Sequence, residues 1–271
     1  MRAIWLLFVF SLMVSRVVAS PRFFSSFDFG PTFIGYQEQV LDYTDPATST
    51  VGRIDSTANP VTYALRGSLE MYWDKTLLGL RSVFPVYAAT VKESWSFNGS
   101  LIQTNDLTYA VSTVDFYGGY SFAKRFELLS GFSMAKAEQN RENFYVNGVR
   151  QNIDRSTETI LSQNVFLEAR GKEGDQPLWF GYQVGLLYPL NVTTTNTLLP
   201  NFQFSSPGYT YYGRGSLYYL LSPDSIIEAS LGYRWLHYDG SNWLTIGSST
   251  AKWPMNNTSE LTISLGWLYS Y

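Results

Sequence analysis

The sequence contains no cysteine, which excludes disulfide bonds and cysteine-ligated metal centres. Its net charge is −3 with only 15% charged residues, so no basic surface is available for phosphates and we expect no nucleic-acid partner. After residue 20 no apolar run is long enough for a transmembrane helix, which argues against a helical membrane protein. No linker-like segment and no internal repeat divides the chain. The sequence therefore predicts one domain over residues 20–271.

The N-terminal residues have the features of an export signal. Arg2 precedes the apolar stretch Ile4–Val14, and small residues follow at Val17–Ala19, where a signal peptidase would cut. The apolar stretch is short for a membrane anchor, which needs roughly 20 residues. We therefore predict a signal peptide at residues 1–19 and an exported protein.

The end of the sequence, ELTISLGWLYSY, alternates between two kinds of side chain. Leucine, isoleucine, tryptophan and tyrosine occupy every second position, and small or polar residues lie between them. A β-strand with this pattern has one face in an apolar medium and the other in a polar one. Large aromatic rings at a chain end, where soluble domains usually fray, favour a lipid bilayer as the apolar medium.

Similar alternation recurs throughout the chain. Aromatic residues make up 17% of the sequence, yet the mean hydropathy is only −0.09, as expected when lipid-facing and lumen-facing positions are averaged. We predict an all-β, antiparallel up-and-down transmembrane β-barrel of ten strands, with twelve strands as the alternative. The predicted segments are Phe27–Gln37, Val61–Trp73, Thr76–Val91, Leu107–Phe122, Phe126–Lys136, Thr159–Arg170, Pro177–Leu190, Tyr209–Leu221, Ser225–Tyr238 and Glu260–Tyr271.

The connections between these segments alternate between short and long. Turn-forming connections such as Asp74–Lys75 are short, whereas polar ones such as Glu38–Pro60, Lys92–Asp106 and Ala137–Glu158 are long. This pattern predicts an outer-membrane barrel with short periplasmic turns and long extracellular loops. The composition of Ser133–Asn143 leaves a helix open there, but we favour the water-exposed end of a strand that runs into a loop. We expect the protein in the bacterial outer membrane, with outer-membrane lipid as a partner.

The second face of the predicted strands collects nearly all of their charge. A charge on the lipid face would cost roughly 2–4 kcal/mol at the bilayer midplane, so these side chains are expected to face the lumen. A ten-stranded barrel is narrow, and the near balance of acids and bases predicts a lumen closed by ion pairs with a structural role. The predicted lumen charges are Asp28, Arg66, Glu70, Arg81, Asp115, Glu127, Glu168, Arg170, Arg214, Glu228 and Arg234.

The terminal alternation resembles the C-terminal assembly signal of bacterial outer-membrane proteins, which ends in an aromatic residue. The matching residues are Leu265, Trp267, Tyr269 and Tyr271. The resemblance implies that the barrel-insertion machinery recognises this end of the chain.

Segments from Asn105 onward are similar in order and spacing to those of the omptins, ten-stranded outer-membrane proteases. They include NDLTYAVSTVDFYGGYSF, FGYQVGLLYPL and YYGRGSLYYLLSPDSIIEASLGYRW. Membership would imply a water activated between an Asp pair on one wall of the rim and an Asp-x-His on the other. In this chain Asp106 stands alone in the second loop, and YPLNVTTTNTLLP, at the top of the seventh segment, has no acid and no histidine. The resemblance therefore does not carry the catalytic residues over.

The single histidine, His237, precedes Asp239 by two residues in the motif LHYDG. Their side chains share a face of the predicted strand, which makes them the candidates for a general base. A histidine at the water interface before an Asp-Gly turn is the plainer interpretation. One histidine and no cysteine do not supply the clustered ligands of a metal site, so we expect neither a metal nor another cofactor.

The sequence leaves three functions open. The first is a non-enzymatic barrel with a charge-plugged lumen, whose extracellular loops bind an unidentified ligand or support the cell surface. The second is a narrow, selective channel or porin, which needs a continuous water path. The third is an omptin-like protease with a rebuilt site.

Overall fold

The computed structural model describes residues 20–45, 48–123, 125–247 and 249–271, so the predicted signal peptide lies outside the described residues. Among the residues it describes, no helix is long and apolar enough to span a membrane. The strands are β1 (Arg22–Thr44), β2 (Val51–Ala58), β3 (Val61–Trp73), β4 (Thr76–Ala88), β5 (Val91–Phe97), β6 (Ser100–Ala123), β7 (Phe126–Val146), β8 (Val149–Arg150), β9 (Arg155–Asp175), β10 (Leu178–Asn196), β11 (Gln203–Phe204), β12 (Gly208–Ser222), β13 (Ser225–Tyr238), β14 (Leu244–Ile246), β15 (Ser249–Ala251) and β16 (Met255–Ser270).

Ten of these strands close into a ring within the described part of the chain. Their order is β1, β3, β4, β6, β7, β9, β10, β12, β13 and β16, and each neighbouring pair is antiparallel. The last strand pairs with the first, with Phe27 opposite Trp267, so the ring has no free edge. The predicted all-β, up-and-down barrel is confirmed, with ten strands rather than twelve in the ring.

An apolar band covers the outer surface of the ring. On β13, Leu231 and Tyr233 are 54% and 53% exposed, whereas Ser230 on the opposite face is only 7% exposed. The same alternation on β16 exposes Ile263 and Leu265. Water-soluble proteins rarely expose a continuous apolar surface of this extent. The band is therefore the face that contacts lipid, and it has the parity predicted from the sequence.

The C-terminal residues are fixed in the sheet. The backbone N–H of Tyr271 donates a 2.9 Å hydrogen bond to the carbonyl oxygen of Phe23 on β1. The rings of Tyr269 and Tyr271 contact edge to face, with their centroids 4.8 Å apart. Backbone pairing and ring contact together hold the end of the chain against the first strand.

Several strands continue far beyond the lipid band. β2 and β5 pair with each other and join β1 to β6, which completes the wall above β3 and β4. The hairpin turns at Asn98-Gly99 and Asn147-Gly148 have positive φ at both residues, as a two-residue turn requires. The long loops predicted from the sequence are therefore hairpins built largely of strand. Ser133–Asn143 lies within β7, so the favoured strand interpretation is right and the helix is not formed.

Candidate functional site

The charges predicted for the lumen lie on the inner face of the ring, where each arginine contacts at least one carboxylate. Glu260 joins them because the register of β13 and β16 sets it opposite Arg234. The ion pairs are Arg66–Asp28 (3.1 Å), Arg81–Asp115 (2.5 Å), Arg81–Glu168 (2.6 Å), Arg170–Glu70 (2.7 Å), Arg170–Glu127 (2.5 Å), Arg214–Asp28 (3.1 Å), Arg214–Glu228 (2.8 Å) and Arg234–Glu260 (3.6 Å). Their structural role stays a prediction.

The lumen ion pairs surround a cavity of about 1250 Å³, which we call the lumen cavity. Its lining extends from Arg22 and Lys75, at the end of the barrel with the short turns, to Ile34 and Glu260 towards the opposite end. The guanidinium groups of the lumen ion pairs are already held by carboxylates, so this part of the wall carries paired charge of both signs.

Beyond the lumen cavity the inner face of the barrel changes from polar to apolar. The buried side chains of β1 change from Asp28 and Thr32 to Ile34 and Tyr36. Two clusters of buried apolar side chains lie at this level, and Ala137 packs against both. We call them the apolar layer; its members are Ile34, Tyr36, Ala58, Leu107, Tyr109, Ile160, Val192, Phe202, Phe204, Leu236, Tyr238, Ala251 and Trp253.

A second charged cluster, which the sequence analysis did not identify, lies at the extracellular end of the barrel. The guanidinium of Arg141 is 3.0 Å from Glu38, 2.8 Å from Glu93 and 3.6 Å from Glu158. These four side chains are between 0% and 7% exposed and come from β7, β1, β5 and β9, respectively. We call them the Arg141 cluster. It ties four strands together outside the lipid band.

Neighbouring polar groups complete the hydrogen bonding of two carboxylates in the cluster. Ser56 Oγ and Asn105 Nδ2 each donate a 2.6 Å hydrogen bond to Glu93. The indole Nε1–H of Trp253 donates to Glu158 at 3.1 Å. These bonds compensate part of the cost of burying the two carboxylates.

Three carboxylates and one guanidinium leave an excess of negative charge in the Arg141 cluster. Burial, reinforced by the nearby carboxylate of Glu158 and opposed by Arg141, raises the pKa of Glu38 to about 8. Burial also disfavours the ionised form of Glu93, but Arg141 and the donated hydrogen bonds outweigh it and lower the pKa of Glu93. At neutral pH Glu38 therefore holds its proton, whereas Glu93 is ionised.

A partly open cavity of about 200 Å³ lies against the Arg141 cluster, and we call it the extracellular cavity. Among the described residues, Glu38 Oε1 and Thr194 Oγ1 have no hydrogen-bond partner, and each of these residues is only 1% exposed. Buried polar atoms of this kind are usually paired with protein, water or ligand. The lining residues are Glu38, Trp95, Gln103, Arg141, Phe144, Ser156, Glu158, Thr194, Asn196, Leu199, Phe204, Lys252, Trp253 and Pro254.

The predicted pair of His237 and Asp239 is in hydrogen-bond contact, with 2.9 Å between Nε2 and Oδ1. The other ring nitrogen, Nδ1, lies 2.7 Å from Asn257 Oδ1. The imidazole packs against Trp235 and Tyr209 on the outer face of the barrel. It lines neither the lumen cavity nor the extracellular cavity. Its catalytic role stays a prediction. Within the described residues, no group of three or more His, Cys, Asp or Glu side chains could hold a metal ion.

Comparison with solved structures identifies the fold. The outer membrane protease OmpT from Escherichia coli matches with a TM-score of 0.63 and 10% sequence identity, over 94% of this chain and 99% of that chain. This chain has the fold of an outer-membrane β-barrel. At this level of identity the likeness concerns the fold alone.

Other solved barrels match less closely in shape. The translocator domain of autotransporter NalP from Neisseria meningitidis has a TM-score of 0.36 and 11% identity, over 98% of this chain and 93% of that chain. Neisserial surface protein A has a TM-score of 0.32 and 10% identity, over 91% and 96% of the two chains. No family model and no curated protein matches the sequence. The barrel fold and the apolar outer band agree with the predicted location in the bacterial outer membrane.

Proposed function

We propose that this outer-membrane barrel is a non-conducting, non-enzymatic protein that binds a ligand at its extracellular end. The observation that supports it is the apolar layer, which lies between the lumen cavity and the extracellular cavity. The two cavities share no lining residue. The layer is closely packed, and a polar atom such as the Tyr36 hydroxyl is already bonded to Gln139 and Arg141. An ion crossing it would therefore lose its hydration for few new partners, which costs many kcal/mol.

The lumen charges have a structural role in this proposal. Arg81, Arg170 and Arg214 each join carboxylates on two different strands, as Arg81 joins Asp115 on β6 to Glu168 on β9. Arg66 and Arg234 each pair with one carboxylate. Removing one partner would leave a buried charge uncompensated, which is strongly destabilising. The barrel-insertion machinery, acting on the segment that ends in Tyr271, is the partner we propose for assembly.

Ligand binding, as opposed to catalysis, is supported by the position of the candidate groups. His237 and Asp239 lie on the outer face among aromatic side chains, away from both cavities. The extracellular cavity, in contrast, has buried polar atoms without a partner in its wall, among the residues described. A small, partly open site with a few convergent polar groups is typical of ligand binding.

Conductance across a planar lipid bilayer tests the proposal. Purified, refolded full-length barrel should produce no stable current steps, because the apolar layer interrupts the water path. Detergent without protein is the control, and a stable ohmic step that depends on the barrel would contradict a non-conducting protein. The same preparation should cleave no peptide in a mixed library. Cleavage lost on His237→Ala would contradict the non-enzymatic part.

A further inference from the structure

The chemistry of the extracellular cavity restricts the class of ligand that it can hold. Arg141 lies in its wall, and Lys252, whose ammonium group is 2.6 Å from Asp42, also lines it. Both cations are already paired with carboxylates, Arg141 with Glu93 and Lys252 with Asp42, so neither these cations nor their partners are free to bind a charged ligand. Glu93, which touches Arg141, and Glu158 oppose the entry of an anion. A neutral ligand meets no net repulsion.

The polar atoms in the wall require hydrogen-bonding groups on that ligand. Thr194 Oγ1 is both a donor and an acceptor, and Glu38 Oε1 belongs to a carboxyl group that holds its proton at neutral pH. Neither atom has a hydrogen-bond partner among the described residues. Both atoms are buried. Once their side chains turn towards the cavity, hydroxyl groups can satisfy both, because each hydroxyl donates and accepts.

The remaining lining is aromatic and apolar. Trp95, Trp253 and Phe204 contribute to the wall of the cavity. The faces of aromatic rings pack well against the C–H groups of a ligand, and this contact needs no conventional hydrogen bond. The size also restricts the ligand, because about 200 Å³ is the space of roughly seven water molecules at ~30 Å³ each. One six-membered sugar ring with its hydroxyls occupies about that much space.

We propose that the extracellular cavity binds the terminal ring of a neutral, hydroxyl-rich sugar. Sugar hydroxyls pair with Thr194 and Glu38, and the C–H face of the ring lies against the aromatic lining. This inference rests on the proposed binding role of the extracellular end. It does not depend on the barrel being closed to ions.

Saturation-transfer NMR on the full-length barrel tests the inference. The barrel is held in dodecylphosphocholine, since a glycosidic detergent would compete for the cavity. The probes are glucose, galactose, mannose and N-acetylglucosamine, and we expect a saturable signal from at least one of them. Thr194→Val should weaken that binding roughly three- to tenfold, the contribution of one hydrogen bond. The matched control is Thr245→Val, an exposed threonine on β14, which should bind as the wild type does.

Stability provides a second measurement on the same variants. The hydroxyl of Thr194 is buried without a partner among the described residues, so Thr194→Val should leave the denaturant midpoint unchanged or raise it while binding weakens. A hydroxyl with a purely structural role would lower the midpoint instead. Binding by none of the four sugars, or equal binding by Thr194→Val and wild type, would overturn the inference. Saturable binding of putrescine in place of the sugars would also overturn it, in favour of a cation site. A barrel that conducts but binds sugar would contradict only the non-conducting part of the proposed function.

Discussion

Replacing Arg141 by leucine should destabilise the extracellular end of the barrel by about 3–5 kcal/mol. The guanidinium is the common partner of Glu38, Glu93 and Glu158, all of which are buried. Without it, the carboxyl groups from three strands would lose their common hydrogen-bond donor, and the ionised Glu93 would have no counter-charge. The hairpins beyond the lipid band should then open and become sensitive to protease. Limited proteolysis of the folded barrel in vesicles, with equilibrium unfolding alongside, measures the effect.

The matched control for this variant is Arg53→Leu. Arg53 also forms an extracellular ion pair, with Asp55 at 2.7 Å, but its side chain is 54% exposed. Because Arg53 is exposed and Gln39 still donates a 2.9 Å hydrogen bond to Asp55, its loss should cost about 0–1 kcal/mol, and this variant should resist protease as the wild type does. Equal behaviour of the two variants would show that the Arg141 cluster does not hold the extracellular end together.

An arginine on the lipid face should lower the free energy of unfolding of the barrel strongly at mid-bilayer and hardly at all at the membrane boundary. Val184 lies midway along the outward-facing residues of β10 and is 56% exposed. Val184→Arg should therefore cost about 2–4 kcal/mol of folding free energy in lipid vesicles. The physical reason is the transfer of a guanidinium from water into hydrocarbon. Reversible denaturant unfolding of the vesicle-bound barrel measures the change.

Leu190→Arg is the control on the same face of the same strand. The exposure of Leu190, 60%, is close to the 56% of Val184. Leu190, however, lies at the extracellular end of the outward-facing residues of β10. An arginine there reaches the headgroups, and its cost should be about 0–1 kcal/mol. If both variants lost the same stability, depth in the bilayer would not be the cause, and the lipid-facing assignment of β10 would be in doubt.

The strands of the barrel could be predicted from the sequence because the polarity of each residue indicates whether it faces lipid or the lumen. Leu231 and Ser230 differ in the medium they meet, and the alternation of such neighbours needs no knowledge of the rest of the fold. The bilayer strengthens this signal, because a charge in the wrong parity is costly by itself. The inner and outer faces were therefore predictable residue by residue.

The Arg141 cluster was not predictable in this way. Glu38 and Arg141 are 103 residues apart, and their contact depends on how distant strands are set side by side. Both lie in segments that the sequence analysis assigned partly to loops, because beyond the lipid band neither strand face must be apolar. A signal was present on β1, where buried Ile34 and Tyr36 are followed, two residues later, by buried Glu38. Glu260 shares the polar face of the last strand, so its place inside the barrel was predictable; only its pairing with Arg234 depends on the register of β13 and β16.

Spin labels at two adjacent positions test most directly the claim that alternate residues meet hydrocarbon. The chain has no cysteine, so Ser230→Cys and Leu231→Cys can each be labelled at a single site. In lipid vesicles, the label at Leu231 should collide mainly with oxygen, which concentrates in hydrocarbon. The label at Ser230, which lines the lumen cavity, should be shielded from lipid and collide relatively more with a water-soluble nickel chelate. The reverse order of the two labels would contradict the account.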